Sequence, residues 1–180
     1  MKQLFVMLAN YNRWANGRLY DAAFALSEDD YRRDEGAFFK SIHGTLNHLV
    51  VGDRIWLARF RGTTARVTQL DAIIADDRPS LRAQRDATDQ ELIAYVESLT
   101  EGDLASTFSY TTITRPQKVT QPLAPALVHT FNHQTHHRGQ IHALLTRLAG
   151  EAPSLDLIFY QRETGDGLSL EDPSAGAAGA

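Results

Sequence analysis

The sequence predicts an all-α protein, a four-helix bundle with one small β-hairpin ahead of its last long helix. Three observations carry that reading. Apolar residues recur at spacings of three and four in four separate stretches, the mark of helices with one face turned to a core. One stretch between the third and fourth of these, Ala105 to Pro122, alternates with period two and is rich in Thr, Ser, Tyr and Val. The breaks fall at Gly, Pro and acidic clusters, where chains turn readily.

The first helix is expected from Leu4 to Leu26, with Leu4, Leu8, Tyr11, Ala15, Leu19, Ala22 and Leu26 as its stripe. Ser27-Glu28-Asp29-Asp30 ends it in polar residues able to open a short turn. The second is expected from Ser41 to Phe60, with Ile42, Leu46, Leu49, Asp53, Trp56 and Phe60 facing inward. Asp53 is the anomaly of that row. A buried carboxylate needs a partner, so it should meet a histidine, an arginine or a backbone donor. It either forms a structural pair, with Arg54 the nearest cation in sequence, or orients a metal-ligating imidazole. His48 lies beside the stripe, and Gly52, one turn along, leaves room for an ion or a ligand. Residues 62–77 read as a loop.

After Pro79 the third helix is expected from Ser80 to Leu99, through Leu81, Ala87, Thr88, Leu92, Tyr95, Val96 and Leu99; Glu101-Gly102-Asp103 breaks it. In the hairpin, Phe108, Tyr110, Thr112 and Thr114 alternate, Arg115-Pro116-Gln117 turns, and Lys118 to Thr120 returns. Pro122 and Pro125 are tolerated in the first turn of the last long helix, which Gly150 and Pro153 stop. Leu155 to Arg162 forms a short packed segment. One domain is expected over 1–163, with a disordered tail over 164–180.

Composition narrows the function. At 180 residues, 43% of them hydrophobic and 22% charged, the chain is an ordinary globular protein. It has no cysteine, so any metal must be held by His, Asp, Glu and water, and a cytoplasmic location fits. The net charge of -4 with mixed signs lacks the basic footprint of a nucleic-acid binder. The first residues read as a helix, not a signal peptide, and no apolar run reaches the ~18 residues of a membrane span.

The chemistry is concentrated in the last long helix. Five of the seven histidines, His129, His133, His136, His137 and His142, fall within fourteen residues. With about 100° per residue, His133 and His137 share a face with Ala126, Thr130, Gln140, Ile141, Leu144 and Leu148, the face expected to look inward. Two imidazoles at i and i+4 can hold one ion. A third ligand is needed, and His48 is the best remaining candidate. His129 is an alternative partner one turn earlier, while His136 lies to the side. His43, His129, His136 and His142 singly, and the aromatics Tyr11, Trp14, Trp56 and Phe60, read as structural. Gly139, in mid-helix, suggests close approach of another helix.

Several strings resemble the DinB family of damage-inducible bacterial proteins. They are Tyr11-Asn12-Arg13-Trp14-Ala15-Asn16, Leu46-Asn47-His48-Leu49 followed by Asp53-Arg54-Ile55-Trp56-Leu57, and Asn132-His133-Gln134-Thr135-His136-His137-Arg138-Gly139-Gln140. Leu155-Asp156-Leu157 is similar to the family's ending. The resemblance covers about Met1 to Glu163 and implies a four-helix bundle, usually a homodimer, holding one divalent zinc or nickel ion on His48, His133 and His137. His136 would not ligate. The wider superfamily includes metal-dependent enzymes that use low-molecular-weight thiols.

Three neutral imidazoles leave an ion charged and open on one side, the pattern of catalytic sites. The first functional expectation is therefore a thiol-dependent transferase or a hydrolase acting on an electrophile, with the thiol arriving as cosubstrate and His136, His129 or Asp53 as candidate bases. The alternative is a non-catalytic metal- or ligand-binding module of a stress response. The third is a bundle whose histidines are only core polar residues.

Overall fold

The computed structural model describes residues 1–67 and 69–169. Among them, seven helices and one two-stranded antiparallel sheet follow in the order α1 (Lys2–Phe24), α2 (Glu28–Arg32), α3 (Ile42–Phe60), α4 (Arg78–Ser98), α5 (Glu101–Leu104), β1 (Thr107–Thr111), β2 (Lys118–Pro122), α6 (Leu123–Ala149) and α7 (Leu157–Thr164). The protein is thus mostly helical with one hairpin, as the periodicities predict. None of these helices is long and apolar enough to cross a membrane.

The helix starts are written in side chains. Ser27, Ser41 and Asp77 each accept a hydrogen bond from a backbone N–H two or three residues into the helix that follows, at 3.1, 3.0 and 2.8 Å. Glu101 to Asp103, expected as a plain break, forms the short helix α5, because Thr100 and Asp103 cap each other reciprocally. In the hairpin, Phe108 pairs with Gln121 and Tyr110 with Val119. Gly150, at φ 80°, ends α6 in the left-handed conformation that glycine adopts without strain. Gly165 ends α7 likewise, and Asp166 accepts from the Tyr160 hydroxyl at 2.6 Å. The expected disordered tail falls mainly on residues 170–180, outside the described residues.

α1 packs against α4 and α6, and α3 packs against the same two. The interior holds two apolar clusters. One gathers Leu19, Tyr20, Ile42, Leu46, Leu81, Ile141 and Leu145; the other gathers Phe5, Ala9, Leu57, Leu92, Val96, Leu127 and Phe131. Each long helix contributes to both, and between its two contributions each places polar residues: Asn12 and Asn16, Asp53, Arg85 and Asp89, Gln134 and Arg138, all 2% exposed or less.

This layer explains where the apolar stripes depart from expectation. Asn12 and Asn16 are buried while Leu4 is exposed, and Arg85 and Asp89 are buried while Ala87 faces out. Arg85 donates to Asp53 at 2.7 Å and to both oxygens of Asp89 at 2.9 and 3.0 Å. The amides of Asn12 and Asn16 donate to Asp89 at 3.1 Å, and their carbonyls accept from Arg138. Two carboxylates and two guanidiniums leave the layer neutral. Burial pushes the Asp53 carboxyl upward and Arg85 opposes it. Arg54 does not pair with Asp53; it turns to Thr88 and Gln84.

Replacing Arg85 with Met leaves two buried carboxylates without their shared cation. Urea denaturation at neutral pH is expected to show a loss of about 3–5 kcal/mol. A loss below about 1 kcal/mol would show that the layer does not depend on that charge.

Candidate metal centre

The buried face of α6 runs through Leu127, Thr130, Gln134, Arg138, Ile141 and Leu145. His133 and His137 each precede a polar-layer residue, so they stand on the shoulder of this face and not at the centre expected for them. That offset lets them meet His48 of α3 beside the core. Ligand atoms of His48, His133 and His137 all lie within 4.8 Å of one another, and the ring of His48 lies 5.1 Å from His133 and 4.6 Å from His137. This cluster could hold a metal ion.

The donor set fits such an ion. His48 Nδ1 lies 2.7 Å from the Leu70 carbonyl and His137 Nδ1 lies 2.8 Å from Gln140 Oε1. Both partners are acceptors, so each Nδ1 carries the proton and each Nε2 is left with its lone pair. The Nε2 atoms of His48 and His133 are 3.2 Å apart. Two imidazoles bound to a tetrahedral ion by bonds of about 2.0–2.1 Å would hold their nitrogens about 3.3 Å apart. Burial pushes His48 down to about 4 and His133 down to about 3, and lowers His137 as well, so the three rings are neutral ligands at physiological pH.

Two features set the ring positions. A Cβ on Gly52 would stand 3.1 Å from His133 Cε1, so the space beside His48 is filled by an imidazole and not left for a ligand. On the other side Phe39 stacks on His48 at 3.7 Å between centroids, inclined by 18°. Phe39 comes from the turn before α3, where Lys40 takes φ 66° and bonds back to Ala37 at 2.7 Å. A side chain at Gly44 would collide with the Phe39 carbonyl oxygen, so glycine lets that turn close on the helix.

The histidines open on a shallow cleft of about 320 Å³ rimmed by Phe38, Phe39, His136 and Gln140. Phe38, 84% exposed, and Phe39 separate it from a cavity of about 920 Å³ that reaches Leu70, Ile73 and Ile113. Sequence reasoning missed Phe39 and the Leu70 carbonyl. The Phe38-Phe39 doublet just before the Ser41 cap was the available signal for the first; nothing marks the second.

The remaining candidates separate. His136 stays exposed at the rim, with Gln140 Nε2 at 3.3 Å. His129 packs against Trp56 at 4.9 Å, and His43 is buried with Nε2 3.2 Å from the Ala75 carbonyl. Asp53 neither orients a ligating imidazole nor reaches the cleft, because Arg85 holds it in the core. A methyl group added to Gly139 would meet nothing within 4 Å, so among the described residues no helix packs closely on it.

Comparison with known proteins identifies the family that the sequence resembles. Residues 1–171 match the model of the DinB family. The chain is also 27% identical over 161 residues to Protein DinB of Bacillus subtilis (strain 168), covering 84% of this chain and 90% of that protein.

Gly52→Ala should push His133 aside by a few tenths of an ångström. Metal affinity, read by competition with a chromophoric chelator, is expected to fall at least about tenfold, while helix propensity raises stability by up to about 1 kcal/mol; unchanged affinity would separate Gly52 from ring placement. A pH effect follows too. Between about 6.5 and about 3 the His133 ring, and down to about 4 the His48 ring, bind a proton only in the unfolded chain, so metal-free protein should lose stability as pH falls through that window. Urea midpoints measured downward from about pH 7 should drop less steeply in His133→Ala; equal slopes would contradict this origin.

Proposed function

The chain belongs to the DinB family, and on that premise we propose that it holds one divalent ion, zinc or nickel, on His48, His133 and His137 and acts as a metal-dependent enzyme on a small thiol and an electrophile. The observation that carries this reading is the convergence of three neutral imidazoles, from α3 and α6, on one side of an accessible cleft. The helix pairing, α1 and α3 each against α4 and α6, supports a four-helix bundle of the family's kind. A homodimer in the cytoplasm is part of the same proposal.

An ion held there would supply Lewis acidity and would lower the pKa of a thiol or water bound to it. The chain's own residues do the rest. Leu70 and Gln140 hold the His48 and His137 rings in the ligating tautomer. Phe38 and Phe39 exclude water from one wall and offer apolar surface to the electrophile. His136, at the rim and 4.8 Å from the His137 ring, gives up its 3.3 Å contact with the Gln140 amide and accepts on Nε2 the proton that the thiol sheds as its sulfur bonds to the electrophilic carbon and the leaving group departs with its electron pair. With no cysteine in the chain, the thiol comes from solution.

The second reading is a non-catalytic metal- or ligand-binding module. It is favoured by the lack of any Asp or Glu among the residues lining the cleft.

Metal analysis of untagged protein is expected to give about one ion per chain, and less than about half would count against both readings. His133→Ala should abolish uptake. If that variant keeps its melting temperature and loses metal-dependent conjugation of cellular thiols to electrophiles, the enzyme reading stands. A screen with no metal-dependent turnover in the loaded protein would leave the binding module.

A further inference from the structure

Arg59 occupies the last turn of α3, on the hairpin side of the molecule. Its guanidinium carbon lies 4.6 Å from the centroid of the Trp56 ring and 4.3 Å from that of Tyr110 in β1, so two aromatic faces hold it. Among the described residues it makes no ion pair and donates no hydrogen bond, whereas Arg61, two residues on, meets Glu91 at 2.7 Å. Half-burial without a counter-charge is unfavourable for a guanidinium, and its pKa is lowered by that desolvation. A pocket of about 280 Å³ opens beside it, and no acidic residue lines that pocket. The walls add the apolar side chains of Ile55 and Ile113 and the hydroxyls of Thr64 and Thr111.

We propose that Arg59 and this pocket bind the carboxylate of a small organic acid. A planar guanidinium already seated in the corner of two rings, whose centroids stand 5.5 Å apart and inclined by 67°, presents its donors as a fork matched to a carboxylate, with little side-chain freedom left to lose on binding. One cation suits a single negative charge. The aliphatic and aromatic walls suit a carbon skeleton, which inorganic phosphate lacks. The position is also informative: Trp56 touches His129 at 4.9 Å, His129 lies 5.9 Å from His133, and Ile113 is shared with the cavity that reaches Phe39. An acid anchored at Arg59 is therefore separated from the three-histidine cleft by the Trp56 and His129 rings and uses none of its ligands, and the assignment does not rest on the metal reading. A purely structural Arg59, complementing the α3 terminus and covering two rings, would bind no anion.

The two indole N–H resonances of the full chain separate these cases, because Trp56 touches Arg59 and Trp14 lies elsewhere. Titration with cyclohexanecarboxylate at constant ionic strength is expected to shift the Trp56 signal saturably and leave Trp14 in place. Cyclohexanecarboxamide, the neutral analogue, and inorganic phosphate should shift it at least about tenfold more weakly. Arg59→Gln should cost at least about tenfold in apparent affinity, with Arg59→Lys between the two; an unmoved Trp14 signal certifies the fold of both variants. No saturable shift, an equal shift in Arg59→Gln, or an equal response to the amide overturns the site. A stronger response to phosphate overturns the organic-acid assignment.

Discussion

The contact on which the rest of the structure depends is that of Arg85 with Asp53 and Asp89 in the middle of the core. Charges so deeply buried tolerate almost no displacement, because a broken pair leaves an ion in an apolar surrounding. Asp53 comes from α3, Asp89 from α4, the asparagines that brace Asp89 from α1, and the arginine that braces the asparagines from α6. Sliding any of the four helices by a turn would orphan several of these groups at once. Apolar packing above and below is far more forgiving of register, so the polar layer is what makes the alignment unique.

That alignment places the histidines. Gln134 and Arg138 point into the layer, and His133 and His137, one residue earlier in each case, emerge at its edge facing His48. Three imidazoles half-removed from water resist protonation and keep their lone pairs available. The wall opposite the core is made by a strained turn, where a non-glycine residue in a left-handed conformation is held by backbone hydrogen bonds on both sides.

Much of this could be read from the residues alone, for reasons that are physical. The spacing of His133 and His137 translates directly into a shared helical face, and the period-two run makes a strand at Phe108 and Tyr110, whereas its later members Thr112 and Thr114 fall in the connecting loop. The sequence ground for His48 is weaker, since nothing local says which helices face each other. The polar layer was not legible: Asn12, Asn16, Arg85 and Asp89 look like surface residues, and only tertiary pairing reveals them as core. The same blindness turned the expected inward face of α6 by one residue. Asp53 was recognisable as a buried carboxylate because it interrupts an apolar row, but its partner, more than thirty positions away, was not. Phe39 and the Leu70 carbonyl belong to irregular segments, where periodicity has nothing to say.

β2 ends at Pro122 and α6 begins at Leu123, with no connecting loop between them. The rotational phase of the histidine helix is therefore counted from the hairpin. Extra residues at the Arg115 to Gln117 tip would leave that phase untouched, whereas a single residue added at the strand–helix junction would swing every downstream side chain by about 100°. Chain length is free to drift at one end of the hairpin and frozen at the other, where α6 sets out toward His133 and His137.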